Sequence, residues 1–184
     1  MLLTPDEPRP VLLMNTIWAN RSQVNDDLVT VAGLNGFLGF AAGETGEDDL
    51  RAFRTLRQAL RDLAAVLTQD TRAVAQDRDL ARAVTDLNLA AKRATEWPQL
   101  AEEDGKLVRR NEVGGSRVDR ALASIAAEAV ELFTGEQQVL LRACYAPGCV
   151  LYFVKDHPRR EWCSPGCGNR VRAARHYRRN RAGE

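Results

Sequence analysis

Apolar residues change their period several times along the chain, and each change marks an element. Residues 11–18, VLLMNTIW, form a short apolar run after Pro8 and Pro10, suited to a buried strand or a short helix. The polar pair Asn15-Thr16 interrupts it. From Asp26 to about Ala42, the residues Leu28, Val31, Leu34, Phe37 and Leu38 take a helical spacing that Gly33, Gly36 and Gly39 weaken. GETGEDD then breaks the pattern and leads the next helix with acids, which suit the positive end of its dipole. Leu50, Phe53, Leu56, Leu60, Leu63 and Leu67 make the clearest amphipathic stripe, with Arg51, Arg54, Arg57 and Arg61 on the helix's other positions. Leu80, Ala83, Val84, Leu87, Ala91 and Ala94 predict a further helix ending near Trp97-Pro98.

Residues 97–113 predict a hairpin, because Asp104-Gly105 is a favoured two-residue turn between short runs. Ser116 and Asp119 have the spacing of a capping box, with Val118, Leu122, Ile125, Ala129 and Leu132 as the stripe behind it and Gly135 at the C-cap. A short helix over about 136–143 leads into Cys144. The fold class that follows is α+β: a mostly helical N-terminal domain with a small β element, residues 1–141, and a C-terminal module, residues 142–184. The helices of the first part are enough to bury a core of their own.

Charge sharpens this division. From Arg142 onward ten basic residues face three acidic ones, a balance of +7, while the first 141 residues hold 16 against 22, or −6. A short, strongly basic end points to nucleic acid. No apolar run approaches the roughly 20 residues of a membrane span. The opening stretch, MLLTPDEPRPVLLMNT, lacks the basic region of a signal peptide. These features place the chain in a reducing cytoplasm, away from membranes.

All four cysteines fall in the basic end, spaced C-x4-C-x13-C-x3-C as Cys144, Cys149, Cys163 and Cys167. Two close pairs separated by such a spacer form a structural zinc site, one ion per chain; a reducing compartment argues against two disulfides. Pro147-Gly148 supplies the turn of the first pair, VLYFV reads as a strand, DHPRR as a turn and EWC as the returning strand. Ser164-Pro165 opens a helix carrying Cys167 in its first turn. Knuckle, hairpin and helix make a treble-clef-like four-cysteine finger, with His157 at the surface and Tyr152, Phe153 and Trp162 as a small core. Of these three Tyr152 fits least well, since strand alternation sets it opposite Phe153. Four thiolates close the coordination shell, which argues against zinc catalysis.

On a helix over 167–181, Cys167, Val171 and Ala174 share the face toward the zinc knuckle. Asn169, Arg172, Arg175, His176 and Arg179 share another, with Arg170 flanking the packed side. Arginine favours bidentate contacts with phosphate or guanine. Asn169, Arg170, Arg172, Arg175 and Arg179 are therefore the candidate nucleic-acid contacts, and duplex DNA the expected partner.

The stretch from Cys144 to Arg170, containing WCSPGCGNR, resembles the CGNR zinc-finger family, and Cys167-Gly168-Asn169-Arg170 is the tetrapeptide that names it. The first part resembles the ABATE domain that precedes this finger, through Leu13-Met14-Asn15-Thr16 and through Leu122–Ala126 and Leu132–Gly135. The resemblance implies a stress-linked bacterial transcription regulator with zinc on the four cysteines and DNA on the finger. The loop Tyr145-Ala146-Pro147-Gly148 departs from the family by lacking a basic residue there. The expected function is a zinc-dependent DNA-binding regulator, not an enzyme, with the N-terminal domain sensing a small molecule or mediating a homodimer. Asn15 and Thr16 are the candidate pocket residues, set against simple capping of a buried turn. RNA binding and zinc–thiolate redox sensing are the alternatives.

Overall fold

The computed structural model describes residues 7–20 and 23–182. The first six residues of the N-terminal stretch and the last two of the basic tail lie outside them. The run at 11–18 divides at its polar pair: α1 (Arg9–Met14) ends at Asn15, and β1 (Ile17–Asn20) pairs antiparallel with β2 (Gln23–Asp26). The helices α2 (Val31–Leu38), α3 (Glu47–Leu67), α4 (Leu80–Ala91) and α5 (Arg117–Thr134) take up the four sequence periods, α3 and α5 closely. α2 is shorter than the 26–42 pattern, because Asp26 ends β2 and Gly39 turns left-handed at φ 67°, and α4 stops at Ala91, short of Trp97. Asp49 accepts from the Gly46 backbone N–H ahead of α3, and Ser116 and Asp119 form the expected box at α5. Leu13, Met14, Leu34, Phe53, Leu56, Leu60, Ile125 and Ala126 meet where α1, α2, α3 and α5 converge.

Between α4 and α5 the chain makes the expected hairpin, β3 (Glu96–Glu103) and β4 (Lys106–Val113). Asp104 and Gly105 both take positive φ, 50° and 76°, the type I′ geometry whose twist matches the strands. The ribbon is exposed along nearly its whole length.

Three expectations are corrected. Residues 136–143 are not one helix: a 3-10 turn, Glu136–Leu140, gives way to β5 (Leu141–Ala143). A three-residue strand is too short for its alternation to register in sequence. The partner of Tyr152–Val154, here β6, is β5 and not the 161–163 segment, because the knuckle folds the chain directly back on the strand that enters it. Pro158 and the turn that follows leave 155–162 without a ladder. Third, Arg57 and Arg61 of α3 are buried, not on an outer face. Arg57 donates to Asp26 Oδ2 at 2.8 Å and to Thr16 Oγ1 at 2.9 Å, tying the β1–β2 hairpin to α3.

Candidate metal centre and basic helix

Residue 142 lies inside β5, so the finger begins within a strand rather than after a linker. Alternation in β6 then splits the two neighbours that the sequence left in doubt. Tyr152 points into the helical core beside Leu141 and Val154, and Phe153 points into the cluster around the cysteines. Both are about 1 % exposed, and burying one such ring stabilises by on the order of 1.5–3 kcal/mol.

The helical domain grips the knuckle through polar groups. Asn15 acts as a substitute strand: its amide donates to Tyr152 O at 2.8 Å and its Oδ1 accepts from Tyr152 N at 3.0 Å. Arg61 donates to Met14 O at 2.9 Å and Val150 O at 3.2 Å. Arg72 reaches the carbonyls of Cys144, Cys149 and Leu151 at 3.1–3.3 Å while its other nitrogens hold Asp70. The Tyr152 hydroxyl donates to Asp70 at 2.8 Å, and the guanidiniums of Arg72 and Arg61 lie 4.8 and 5.3 Å from its ring centroid. Burial, then the bond to Asp70, pushes the Tyr152 phenol up to about 12. Burial works against ionisation of Asp70, yet the bonds from Arg72 and Tyr152 hold its carboxyl below the usual range. On the other side, Glu7 accepts from Val154 N at 2.9 Å and pairs with Arg160, which also donates to the Val154 and Cys163 carbonyls. Burial raises the Glu7 pKa despite these bonds.

These contacts frame the metal centre. All four sulfurs are buried and lie within 4.8 Å of one another, with Cys149 to Cys163 at 3.8 Å and Cys163 to Cys167 at 3.4 Å. A tetrahedron with Zn–S of about 2.3 Å places its sulfurs about 3.8 Å apart. Cys144, Cys149, Cys163 and Cys167 therefore fit one zinc ion, held as a closed structural site. Gly148, at φ 70°, makes the knuckle turn, and Cys149 N donates to Ala146 O at 2.9 Å. Hydrogen bonds among the thiols, and then one from Arg170 to Cys167 Sγ at 2.8 Å, lower the Cys167 pKa.

The last helix, α6 (Pro165–Ala182), starts where Ser164-Pro165 predicts, with Ser164 Oγ accepting from Cys167 N at 3.3 Å. At Gly168 space is tight: a Cβ would lie 3.2 Å from the Trp162 ring, which would have to shift by a few tenths of an ångström. Cys167 and Val171 are buried and Ala174 half-buried, the packed face expected; every residue from Arg175 to Arg181 is exposed. Among the described residues no carboxylate pairs with Arg172, Arg175, Arg178, Arg179 or Arg181. Asn169 Oδ1 accepts from Arg172, one turn on. Of the candidate contacts, Arg172, Arg175 and Arg179 thus stand free of carboxylates, while Arg170 is turned back onto the metal ligands.

A family model described as "Putative stress-induced transcription regulator", ABATE, matches residues 7–136, well over half of the chain. The chain belongs to the ABATE family. A CGNR zinc-finger model matches residues 141–180, and no curated protein matches the chain. The two matches make this ABATE chain a zinc-containing regulatory protein. Among its described residues no helix is long and apolar enough to cross a membrane.

In this ABATE domain Asn15 and Thr16 are buried and engaged within the fold, Asn15 on Tyr152 and Thr16 as donor to Leu13 O at 2.8 Å. A groove of about 580 Å³ lies elsewhere, between β1–β2 and the knuckle, lined by Val24, Arg72, Val74, Tyr145 and Pro147 among others. The residues that sequence reasoning missed are Arg61, Asp70 and Arg72. For Arg61 a signal existed, since it stands eleven residues, about three turns, after the buried Leu50 and so shares its face; Asp70 and Arg72 lie in a segment without period.

Proposed function

We propose that the chain is a zinc-dependent DNA-binding transcription regulator whose α6 meets the phosphates and base edges of duplex DNA, with the helical domain as its regulatory part. The observation that carries this reading is the distal half of α6. From Arg175 to Arg181 nothing covers it, and its arginines lack carboxylate partners among the described residues. A helix that is polar all round gains its stability from a partner or from charge pairs, and this one calls for a polyanion. The anchored first turn holds the rod rigid, as a helix entering a groove about 12 Å wide requires. Buried thiols braced by arginine disfavour the redox alternative, because oxidation follows exposure.

Fluorescence anisotropy with labelled duplex DNA across a salt series tests the reading. About three to five phosphate contacts give a slope of log K against log salt near −3 to −4. The triple variant Arg172→Ala, Arg175→Ala, Arg179→Ala keeps its zinc and loses DNA binding. Arg170→Ala instead weakens zinc retention against a chelator. A triple variant that binds duplex as tightly as the parent sinks the assignment, and preference for single-stranded or structured RNA over duplex transfers it to RNA.

A further inference from the structure

We infer that the β3–β4 ribbon is a dimerisation surface that takes a second copy of this chain, through the face bearing Leu100, Glu102, Leu107 and Arg109. Leu100 and Leu107 are 70 % and 73 % exposed, the barest of the large apolar side chains among the described residues. A two-stranded hairpin is marginal alone and gains stability when a face is covered.

The register identifies the occupant. Leu100 stands opposite Arg109, and Glu102 stands opposite Leu107 on the next rung of the same face. The leucines thus occupy one diagonal of a rectangle and the opposite charges the other. A two-fold axis along the leucine diagonal, between two such faces, brings each leucine onto its own copy. The same rotation brings Arg109 to within about 3 Å, in projection, of the partner's Glu102, twice, an offset that two long side chains span. The patch is therefore complementary to itself, as an isologous interface requires. Same-face rungs about 6.8 Å apart and strands about 4.8 Å apart put that diagonal about 35° from the strands, so the ribbons cross at about 70°. That lies near orthogonal sheet packing.

Charge pairing on the two faces differs in the same sense. On the opposite face Arg110 already pairs with Glu103 at 2.5 Å, whereas among the described residues Arg109 and Glu102 enter no ion pair. Pro98 removes a donor from β3, which disfavours edge-to-edge extension. One ribbon face is smaller than the roughly 800 Å² per partner of a standard interface, so the dimer is weak and reversible. The inference does not depend on what α6 binds.

Sedimentation velocity on the zinc-loaded full chain, from low micromolar to near-millimolar concentration, tests it. The parent shows a monomer–dimer equilibrium. Leu107→Glu, Arg109→Glu and Glu102→Arg each weaken dimerisation by about tenfold or more. The deciding arm mixes Arg109→Glu with Glu102→Arg in equal amounts. Each alone sets like charges against each other across the axis, whereas the mixture forms a heterodimer with both pairs complementary. All these positions are exposed, and unchanged circular dichroism verifies the fold. Should a charge reversal misfold, Glu102→Gln with Arg109→Gln, expected to weaken the dimer less, replaces it. A parent that stays monomeric throughout, a dimer indifferent to Leu107→Glu, or a mixture as monomeric as its components overturns the proposal. Indifference to Leu107→Glu points to edge pairing instead.

Discussion

The seam between the helical domain and the knuckle, and the distal half of α6, are both built from arginine, yet they use it in opposite ways. At the seam, Arg61, Arg72 and Arg160 lie in or near the core with their nitrogens committed to carbonyls, Asp70 and Glu7. On α6, Arg175, Arg178, Arg179 and Arg181 lie in solvent with no carboxylate partner among the described residues. A committed guanidinium is desolvated, and removing it orphans what it held. A free one costs the fold little and remains available to a polyanion. The same substitution, Arg→Ala, should therefore read out as stability at one place and as affinity at the other.

The largest expected effect is at Arg72. Arg72→Ala leaves Asp70 buried without its cation and takes a donor from the Cys144 and Cys149 carbonyls, while Leu151 O keeps its bond from Cys144 N, costing about 3–5 kcal/mol of unfolding free energy. Urea denaturation of the zinc-loaded chain measures this, and a loss under about 1 kcal/mol would break the comparison. Zinc removal should act across the same seam. Since Tyr152 belongs to the helical core, chelation lowers the melting temperature of the whole chain, and residues 1–141 alone melt well below the parent.

Asp70 gives a smaller effect with a definite pH dependence. Its folded-state pKa is lowered, so its ionisation stabilises the fold above the ordinary aspartate range, and that contribution is lost as pH falls. Asp70→Asn should therefore cost most near neutrality, about 1–3 kcal/mol, with the gap to the parent closing below about pH 4. Glu7, whose pKa is raised, contributes in the opposite sense, favouring the fold as pH falls. Subtracting parent from variant isolates Asp70. A gap that stays constant from pH 7 to pH 3 would refute its assigned charge state.

How much of this was legible in sequence depends on whether a feature is local. The stripe from Leu50 to Leu67, the Asp104-Gly105 turn, the box at Ser116 and the start of α6 at Ser164-Pro165 rest on near neighbours, and all were readable. The four cysteines were readable because metal geometry constrains their spacing. The seam was not. Asn15 acts on Tyr152, far along the chain, and Arg72 reaches carbonyls of the knuckle from a stretch without period. Polarity also misled: an arginine on an amphipathic helix is read as solvent-facing, and only contact with distant carbonyls makes its burial affordable. The short strand β5 shows the same limit, since its partner rather than its composition defines it.

The smallest stability effect is expected at Arg179, and it sharpens the comparison most. Arg179 is exposed and has no carboxylate partner among the described residues, so Arg179→Ala should change unfolding free energy by less than about 0.5 kcal/mol. Its effect on DNA should be plain all the same. Losing one phosphate contact flattens the slope of log K against log salt by about one unit and weakens all duplex sequences alike. Arg179→Lys supplies the control, because it keeps the charge while losing the planar fork. If the contact is to phosphate, lysine retains most of the salt slope. If Arg179 reads a guanine, lysine keeps the slope but changes which sequences bind best. A variant at Arg179 that destabilises the fold as much as Arg72→Ala would show that the distal helix packs on the body of the protein. The division between committed and free arginines would then fail.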